Sequence, residues 1–517
     1  MNRSFRRTGR WAFAIFFLFV VAALIFTWAF ANVQRQDKYL RTAIFLMAGY
    51  AGFLVWVLLG SRWKKRARWL LFGGTMFVIL FVATCFRIRG VTGDLLPIVD
   101  WRWRAPRMIS IDRGNNFPTN HFSSNGSYPQ FLGPNRDGKL SGPKLVRDWK
   151  QNPPRELWRH AVGTGWSGFA ITGQRAITQE QRGAEELIVC YDALSGREIW
   201  SHTDNSRYAT TIAGEGPRAT PTLAGDRVYA MGGTGVLNVL DLASGRRLWS
   251  RDTLAEHHAT LPEWGVACSP LVTERAVIVT VGGHNSSLVA YDKQTGGVLW
   301  ASGNDDVHWS SPIRASLNGL QQILIFSENV SSYDEQSGRL LWQYPWRNRY
   351  PHVSVPLVLS GNRLLISQGY GTGSELLEIA RTNDHWHATR IWKSIRLKSK
   401  FGTLLVLDDF VYGLDDGALA CIDVNSGELK WKGERCGHGQ MLLIDRLLLL
   451  MAESGELILL EPNPSEQHVL ARCKVFSQKT WNPLALAGDL LVLRNDREAA
   501  CLRLPIEPQS APVAQRQ

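Results

Sequence analysis

The sequence predicts an all-β propeller of eight four-stranded blades carried behind three membrane-spanning α-helices. Three observations predict it. An eleven-residue pattern recurs five times between Cys190 and Trp431, three uncharged apolar runs fill the first ninety residues, and the charge is split between those two regions. Of 517 residues, 45% are hydrophobic and 20% charged, which excludes wholesale disorder. Residues 1–107 hold 17 Lys/Arg against only Asp37, Asp94 and Asp100, whereas the other 410 residues sum to −1. The overall charge of +13 is therefore a property of the N-terminal end, and the folded domain carries no basic footprint for a nucleic-acid partner.

The anchor comes first. Trp11–Val33, Thr42–Gly60 and Trp69–Phe86 are uncharged, each near the ~20 residues that cross a bilayer core as a helix, and none shows the polar stripe of a soluble helix. Trp28, Trp56, Trp63 and Trp69 fall near their ends, where indoles prefer the interface. Nine basic residues (Arg3, Arg6, Arg7, Arg10, Arg62, Lys64, Lys65, Arg66, Arg68) lie on one side, against five on the other (Arg35, Lys38, Arg41, Arg87, Arg89). The positive-inside rule then places the N-terminus in the cytoplasm and the chain after Phe86 outside. Ala29-Phe30-Ala31 resembles a cleavage site, but the apolar run before it is longer than a signal-peptide core and reads as an uncleaved anchor.

Residues 108–154 read as a linker rich in Asn, Ser, Gly and Pro. Within it Tyr128-Pro-Gln-Phe-Leu-Gly-Pro-Asn-Arg-Asp-Gly138 combines two large aromatics with rigid turn residues, so this stretch is expected to pack against the domain.

The repeat sets the architecture. In each copy an Asp is followed by Ser or Thr at +3, Gly at +4 and Trp at +8: Asp192/Gly196/Trp200, Asp241/Gly245/Trp249, Asp292/Gly296/Trp300, Asp334/Gly338/Trp342 and Asp423/Gly427/Trp431. This is a hairpin. The Asp carboxylate holds the turn, Gly supplies its positive φ, and the Trp is a large flat body for docking between sheets. A second marker opens each unit at Ala219-Thr-Pro221, Cys268-Ser-Pro270, Ser310-Ser-Pro312, Ser354-Val-Pro356 and Trp481-Asn-Pro483. The Asp spacings of 49, 51, 42 and 89 leave room for a degenerate unit ending at Ile391-Trp392, and two more follow at Gly455–Glu461 and Ala500–Leu504. Residues 155–505 thus divide into eight blades of about 44 residues. The last unit lacks its Leu-Trp strand and the orphan Leu157-Trp158 opens the domain, so strand 155–160 is expected to close the ring on the last blade, with 506–517 left as a tail.

The repeat, complete at Ala290–Trp300, resembles the tryptophan-docking motif of pyrroloquinoline quinone (PQQ)-type propellers, and the resemblance covers residues 128–505. That superfamily includes quinoprotein alcohol and glucose dehydrogenases, the propeller subunit of the outer-membrane β-barrel assembly machinery, and uncharacterised bacterial repeat proteins, which this sequence resembles most. The motif implies the fold and is a packing device. For a dehydrogenase the resemblance implies PQQ with Ca²⁺, a catalytic Asp and a vicinal disulfide. The seven cysteines (85, 190, 268, 421, 436, 473, 501) include no adjacent pair, although Cys436 and Cys473 could meet in one blade.

The residues just before each inner strand should crowd one mouth of the channel: Trp166, Arg218, Trp264, His308, Trp309, His352, Lys400, His438 and Trp481. Four indoles, three imidazoles and two cations make an aromatic, cationic funnel suited to a planar anion or a peptide; the alternative is that the indoles plug the channel and the imidazoles cap turns. The expectation is a binding or scaffold module of the bacterial inner membrane, propeller periplasmic, holding a protein, a peptide or a small envelope ligand, with no metal site and no catalytic residue identified. A PQQ-dependent oxidoreductase of alcohols or sugars is the alternative. A chain beginning at Ile109 should be soluble and give an all-β circular dichroism spectrum; abundant helix would overturn the propeller assignment.

Overall fold

The computed structural model describes residues 3–31, 33–59, 61–103, 126–306, 309–346, 348 and 350–507. It falls into two compact units, an N-terminal helical one and the propeller.

In the first unit, α1 (Arg3–Ile25) runs on into a wider turn at Phe26–Phe30, followed by α2 (Arg35–Leu59) and α3 (Lys65–Cys85). Each helix is long and apolar enough to cross a membrane, and many of its large side chains are exposed, as a lipid-facing surface requires. The helices begin before the uncharged runs, because charged first turns at Arg35 and Lys65 extend α2 and α3. Small residues let the helices approach: a Cβ on Gly52 would stand 2.4 Å from the Phe16 ring. Arg68 closes the turn between α2 and α3, donating to the carbonyls of Leu58 (3.0 Å), Ser61 (2.7 Å) and Trp63 (2.9 Å). After α3 the strands Phe86–Val91 and Pro97–Trp101 pair antiparallel.

The second unit is the eight-bladed propeller. Each blade is an antiparallel meander, and the inner strands begin at Ala170, Thr222, Leu271, Ile313, Leu357, Leu405, Gln440 and Ala485. The eighth blade takes its outer strand from the start of the domain: Arg155–Ala161 pairs antiparallel with Glu498–Arg503, Trp158 opposite Cys501. Arg494, buried at this seam, ties the ends together by donating to the carbonyls of Gly163 (2.7 Å) and Gln179 (2.8 Å) and to the Thr178 hydroxyl (3.0 Å).

The repeat residues hold blade to blade. Each Asp accepts from the backbone and hydroxyl three residues on, as Asp192 does from the Ser195 N–H (2.7 Å) and Oγ (2.7 Å). The Trp of one blade then lies on the Gly of the next blade's turn: Trp158 on Gly196, Trp200 on Gly245, Trp249 on Gly296, Trp300 on Gly338, and Trp392 on Gly427. Several indole N–H groups also donate to the carbonyl after that blade's Asp, for example Trp158 to Ala193 (2.9 Å) and Trp200 to Leu242 (3.1 Å). Trp431 meets a degenerate turn and donates to the Asn463 carbonyl (2.7 Å). Trp342 faces a blade with no such turn, and its N–H goes to Gln322 of its own blade (3.0 Å). All seven cysteines are free, Cys436 and Cys473 included.

A second ring of contacts surrounds the axis. The Ser, Thr or Asn of the marker before each inner strand reaches the neighbouring blade. The Gly168 N–H donates to Thr220 Oγ1 (3.1 Å), the Thr220 N–H to Ser269 Oγ (3.0 Å) and the Ser269 N–H to Ser311 Oγ (2.9 Å). The ring continues through Ser310 to the Ser354 carbonyl (3.1 Å) and from the Ser399 N–H to Ser367 Oγ (3.1 Å). Gln440 Nε2 then donates to the carbonyls of Phe401 (3.2 Å) and Trp481 (3.0 Å), and Asn482 Nδ2 to that of Ser167 (2.9 Å).

The stretch 126–140 packs inside this channel. Tyr128 forms an antiparallel bridge with Ile171, Pro129 accepts from the Leu223 N–H (2.7 Å), and Lys139–Leu140 runs parallel to Leu443–Ile444. Between those antiparallel and parallel legs the chain reverses through Leu132, Gly133, Arg136 and Gly138, all at positive φ. The segment is a hairpin-shaped plug that enters from the face bearing the Asp–Gly turns and turns back beside the hydroxyl ring.

Gly338→Ala tests the docking. The substitution forces a Cβ onto a backbone at φ +71° and to within 2.5 Å of the Trp300 ring. We expect a loss of about 2 kcal/mol or more, and Trp158→Ala, which opens a cavity at the ring closure, about 3–5 kcal/mol, both read by denaturant unfolding. Losses below about 0.5 kcal/mol for both would show that the interfaces do not depend on this contact.

Candidate functional site: the channel mouth

The residues before the inner strands gather at the face opposite the Asp–Gly turns, because every meander begins there. Of the nine funnel residues, His308 lies outside the described residues. The other eight form three groups.

The first joins blades 6, 7, 8 and 1. The Trp481 ring lies 4.9 Å from that of Trp166 and 5.0 Å from Phe401, and Phe401 meets His438 edge-on at 5.7 Å. The Lys479 ammonium sits 3.7 Å from the Trp481 centroid and 4.6 Å from that of Trp166, a cation beside both indoles. Glu453 accepts from Trp481 Nε1 (3.0 Å) and from the His438 backbone N–H (3.0 Å). This arc is closed on itself by its own cation and carboxylate.

The second joins blades 1 to 4. The Arg218 guanidinium lies over Tyr208 at 4.6 Å and donates to the Gly216 carbonyl (2.6 Å). The Tyr208 hydroxyl donates to the Glu263 carbonyl. Trp264 packs on Trp309 at 4.7 Å, and Trp309 Nε1 donates to the Gly265 carbonyl (3.0 Å). The indole N–H of Trp264 meets no acceptor. Behind these, Glu186 accepts from the Gly233 N–H at 3.0 and 3.1 Å. Burial lifts its carboxyl to about 7, against the pull of that hydrogen bond, and burial lowers Arg218 to about 10.

The third is at blade 5. His352 is 0% exposed; its Nδ1 contacts the Ser327 carbonyl and its ring stacks on Phe326 at 4.4 Å. Lys400 reaches over the Tyr370 ring at 5.2 Å, and Tyr370 stacks on Tyr350 at 5.5 Å. Tyr370 holds φ at +57°, an outlier for a bulky residue. Thus His352 and Lys400 are buried in the wall, whereas Tyr350 and Tyr370 line one sector of the rim.

The sequence reading did not single out Tyr208, Tyr350, Tyr370, Phe401, Lys479, Glu186 or Glu453. Phe401 and Lys479 stand within two residues of positions it did name, and Tyr370 is signalled only by its Gly369/Gly371 neighbours. Glu186 and Glu453 arrive from turns between second and third strands, which the repeat does not mark.

A sequence model of the family described as outer membrane protein assembly factor BamB matches residues 145–263 and 184–433, more than half of the chain. The chain belongs to that family. A curated relative, outer membrane protein assembly factor BamB of Moranella endobia (strain PCIT), is 22% identical over 247 residues, 46% of this chain. The match spans 63% of that relative's length, just under two thirds. Among solved structures, a europium-containing methanol dehydrogenase superposes with a TM-score of 0.56 at 11% identity, covering 73% of this chain and 98% of that one. The quinohemoprotein alcohol dehydrogenase of Comamonas testosteroni gives 0.54 at 11%, covering 76% and 83%. At such identities these two structures establish the fold alone.

The BamB-family chain can be tested for fit to PQQ, the cofactor of quinoproteins of this fold. A planar tricyclic quinone needs two faces about 7 Å apart, twice the ~3.5 Å contact of stacked carbons. Here the mouth rings touch each other at 4.7–5.5 Å, and Lys479 lies against both Trp166 and Trp481. These residues do not fit the cofactor in this arrangement.

The mouth carries a pH signature. Glu186 has a higher pKa folded (about 7) than at its ordinary value of 4.5, so the folded state holds the proton more tightly. Stability from this group is therefore full below about 4.5 and falls as the pH rises through 7, by up to about 3 kcal/mol. The turn carboxyls of Asp241 and Asp292 lie below their ordinary value, chiefly through the Ser244 hydroxyl and the Thr295 N–H, and lose their contribution at acid pH instead. Glu186→Gln should flatten the fall between pH 5 and 8 and leave the acid limb unchanged in urea melts; an unchanged profile would place Glu186 in solvent.

Proposed function

We propose that this chain is a membrane-anchored binding module of the bacterial cell envelope. Its propeller stands outside the cytoplasm and takes a protein, a peptide or a small envelope ligand at the channel mouth. The observation that carries the reading is the arc of blades 1 to 4. There Tyr208, Arg218, Trp264 and Trp309 bring three aromatic rings and a guanidinium together, the guanidinium over Tyr208 and one indole packed on the other. The opposite arc sets its indoles against Lys479 and Glu453. The two arcs thus differ in composition, as the sectors of a recognition surface do and those of a symmetric structural ring do not. Membership of the BamB family and the aromatic composition of the arc support a protein or peptide as occupant.

The charge count across the three apolar helices supports an inner-membrane anchor with the N-terminus in the cytoplasm. The near-zero net charge of residues 108–517 supports partners other than nucleic acid.

Two experiments test the reading. A phosphatase fused after Gln517 should be active and a reporter that fluoresces only in the cytoplasm dark; the opposite pattern reverses the topology. A photo-crosslinking residue at Trp264 should give discrete adducts in whole cells that the same residue at Gln336, on the opposite face, does not. Equal labelling from both faces would end the mouth assignment. Saturable dye reduction by alcohols or sugars after adding PQQ and Ca²⁺ would replace the reading with a quinoprotein dehydrogenase.

A further inference from the structure

The two strands after α3 form a ribbon whose faces differ. Phe86 pairs with Trp101 and Ile88 with Val99, so these four side chains share one face. Arg87 pairs with Asp100 on the other face, which Ile98 shares. The first face is bare: Ile88, Val99, Trp101 and, two residues on, Trp103 are 43–59% exposed. Its rings run in a row, Phe86 to Trp101 at 5.1 Å and Trp101 to Trp103 at 5.3 Å. The turn adds Leu95 and Leu96, both exposed, and Leu95 holds φ at +63°, where a turn in water favours Gly or Asn. A ribbon of two strands is marginal in water by itself, and an exposed apolar face of this kind marks an interaction surface.

Its place in the chain says with what. Phe86 is the residue after α3, and its N–H donates to the Val82 carbonyl of the last helical turn. Arg102 fastens the returning strand to the same helix end: its N–H donates to the Cys85 carbonyl (2.8 Å) and its Nη2 to that of Ala83 (2.8 Å). Both ends of the ribbon are thus held where α3 leaves its apolar run. The exposed apolar side chains of α3, Phe81 and Val82 among them, run on in the chain into those of the ribbon. Tryptophan is also the residue that settles at the boundary between acyl chains and headgroups.

We propose that this ribbon lies on the membrane surface. Its Phe86, Ile88, Val99 and Trp101 face and its Leu95–Leu96 tip enter the acyl–headgroup boundary of the leaflet where α3 ends, and Arg87 faces water. The partner is the phospholipid surface itself, held as an amphipathic element holds it, by one apolar face. The inference rests on α3 spanning the bilayer and adds to that span a second, interfacial contact.

The test uses the full chain in nanodiscs of phosphatidylethanolamine and phosphatidylglycerol. A nitroxide is attached at Val99→Cys or Arg87→Cys, with Phe77→Cys in α3 and Gln336→Cys on the propeller as controls. The background is Cys473→Ser, whose other cysteines are buried. Collisions with oxygen, which concentrates in lipid, are compared with those of a nickel chelate confined to water. We expect an oxygen-to-nickel ratio several-fold higher at Val99 than at Arg87, with Val99 close to Phe77 and Arg87 close to Gln336. A ratio at Val99 equal to that at Gln336, with Phe77 in lipid, overturns the proposal and leaves the anchor standing. Few collisions of either kind at Val99 mean that protein covers the face, whether a partner or a second copy, and overturn it too. An aqueous ratio at Phe77 ends the anchor reading and the proposal with it. Should the Val99 variant fail to fold, Ile88→Cys on the same face is judged by the same ratios.

Discussion

Five of the eight blade interfaces depend on one packing contact, the indole of one blade laid on the glycine of the next. A single blade has two apolar faces and cannot bury both alone. The Asp–Ser/Thr–Gly turn solves this by making a flat patch with no Cβ, onto which a large ring fits, while the ring's N–H satisfies a carbonyl of the same turn. The contact is directional, always from one blade to the next, so repeating it generates rotation about an axis. Trp158 on Gly196 shows that the ring closes through this same contact rather than through a special one. The hydroxyl ring around the channel is the inner counterpart, a polar seam where the outer one is aromatic.

The architecture was legible because its chemistry is specialised at a few positions. Asp192, Gly196 and Trp200 and their equivalents cannot be exchanged freely for similar residues, so five copies survive in readable form. The degenerate blades were legible only by spacing. Blade 5 explains why: its outer hairpin, Gly373–Thr382 with His385–Ser394, turns through Asn383 and Asp384 at positive φ and needs no Asp–Ser–Gly. Trp342 before it consequently turns its N–H inward to Gln322. The plug stretch announced itself by Tyr128 and Phe131, but nothing local in the sequence tells where such a segment inserts.

The mouth was legible in composition and illegible in grouping. Its residues could be named from their positions before the inner strands. Which of them satisfy one another depends on side chains brought from turns between second and third strands, such as Glu186, Tyr370 and Glu453. Trp166, Trp264, Trp309 and Trp481 look equivalent in the sequence. In the structure one pair packs beside a lysine and the other leaves an N–H without an acceptor. Near-symmetry of the backbone is thus broken by polar bookkeeping at the rim.

The closure strand and the plug both lie before the first blade in sequence, yet Arg155–Ala161 pairs with Glu498–Arg503 and Lys139–Leu140 with Leu443–Ile444. Those pairings join residues some three hundred positions apart, so neither forms until nearly the whole domain has been synthesised. Contacts of such long sequence separation are slow to form. A nascent chain therefore holds its first blades as an open arc, edges unpaired, for the time taken to deliver the last one. For this protein the vulnerable period is set by the clock of translation, and factors that shield strand edges matter most before Arg503 emerges.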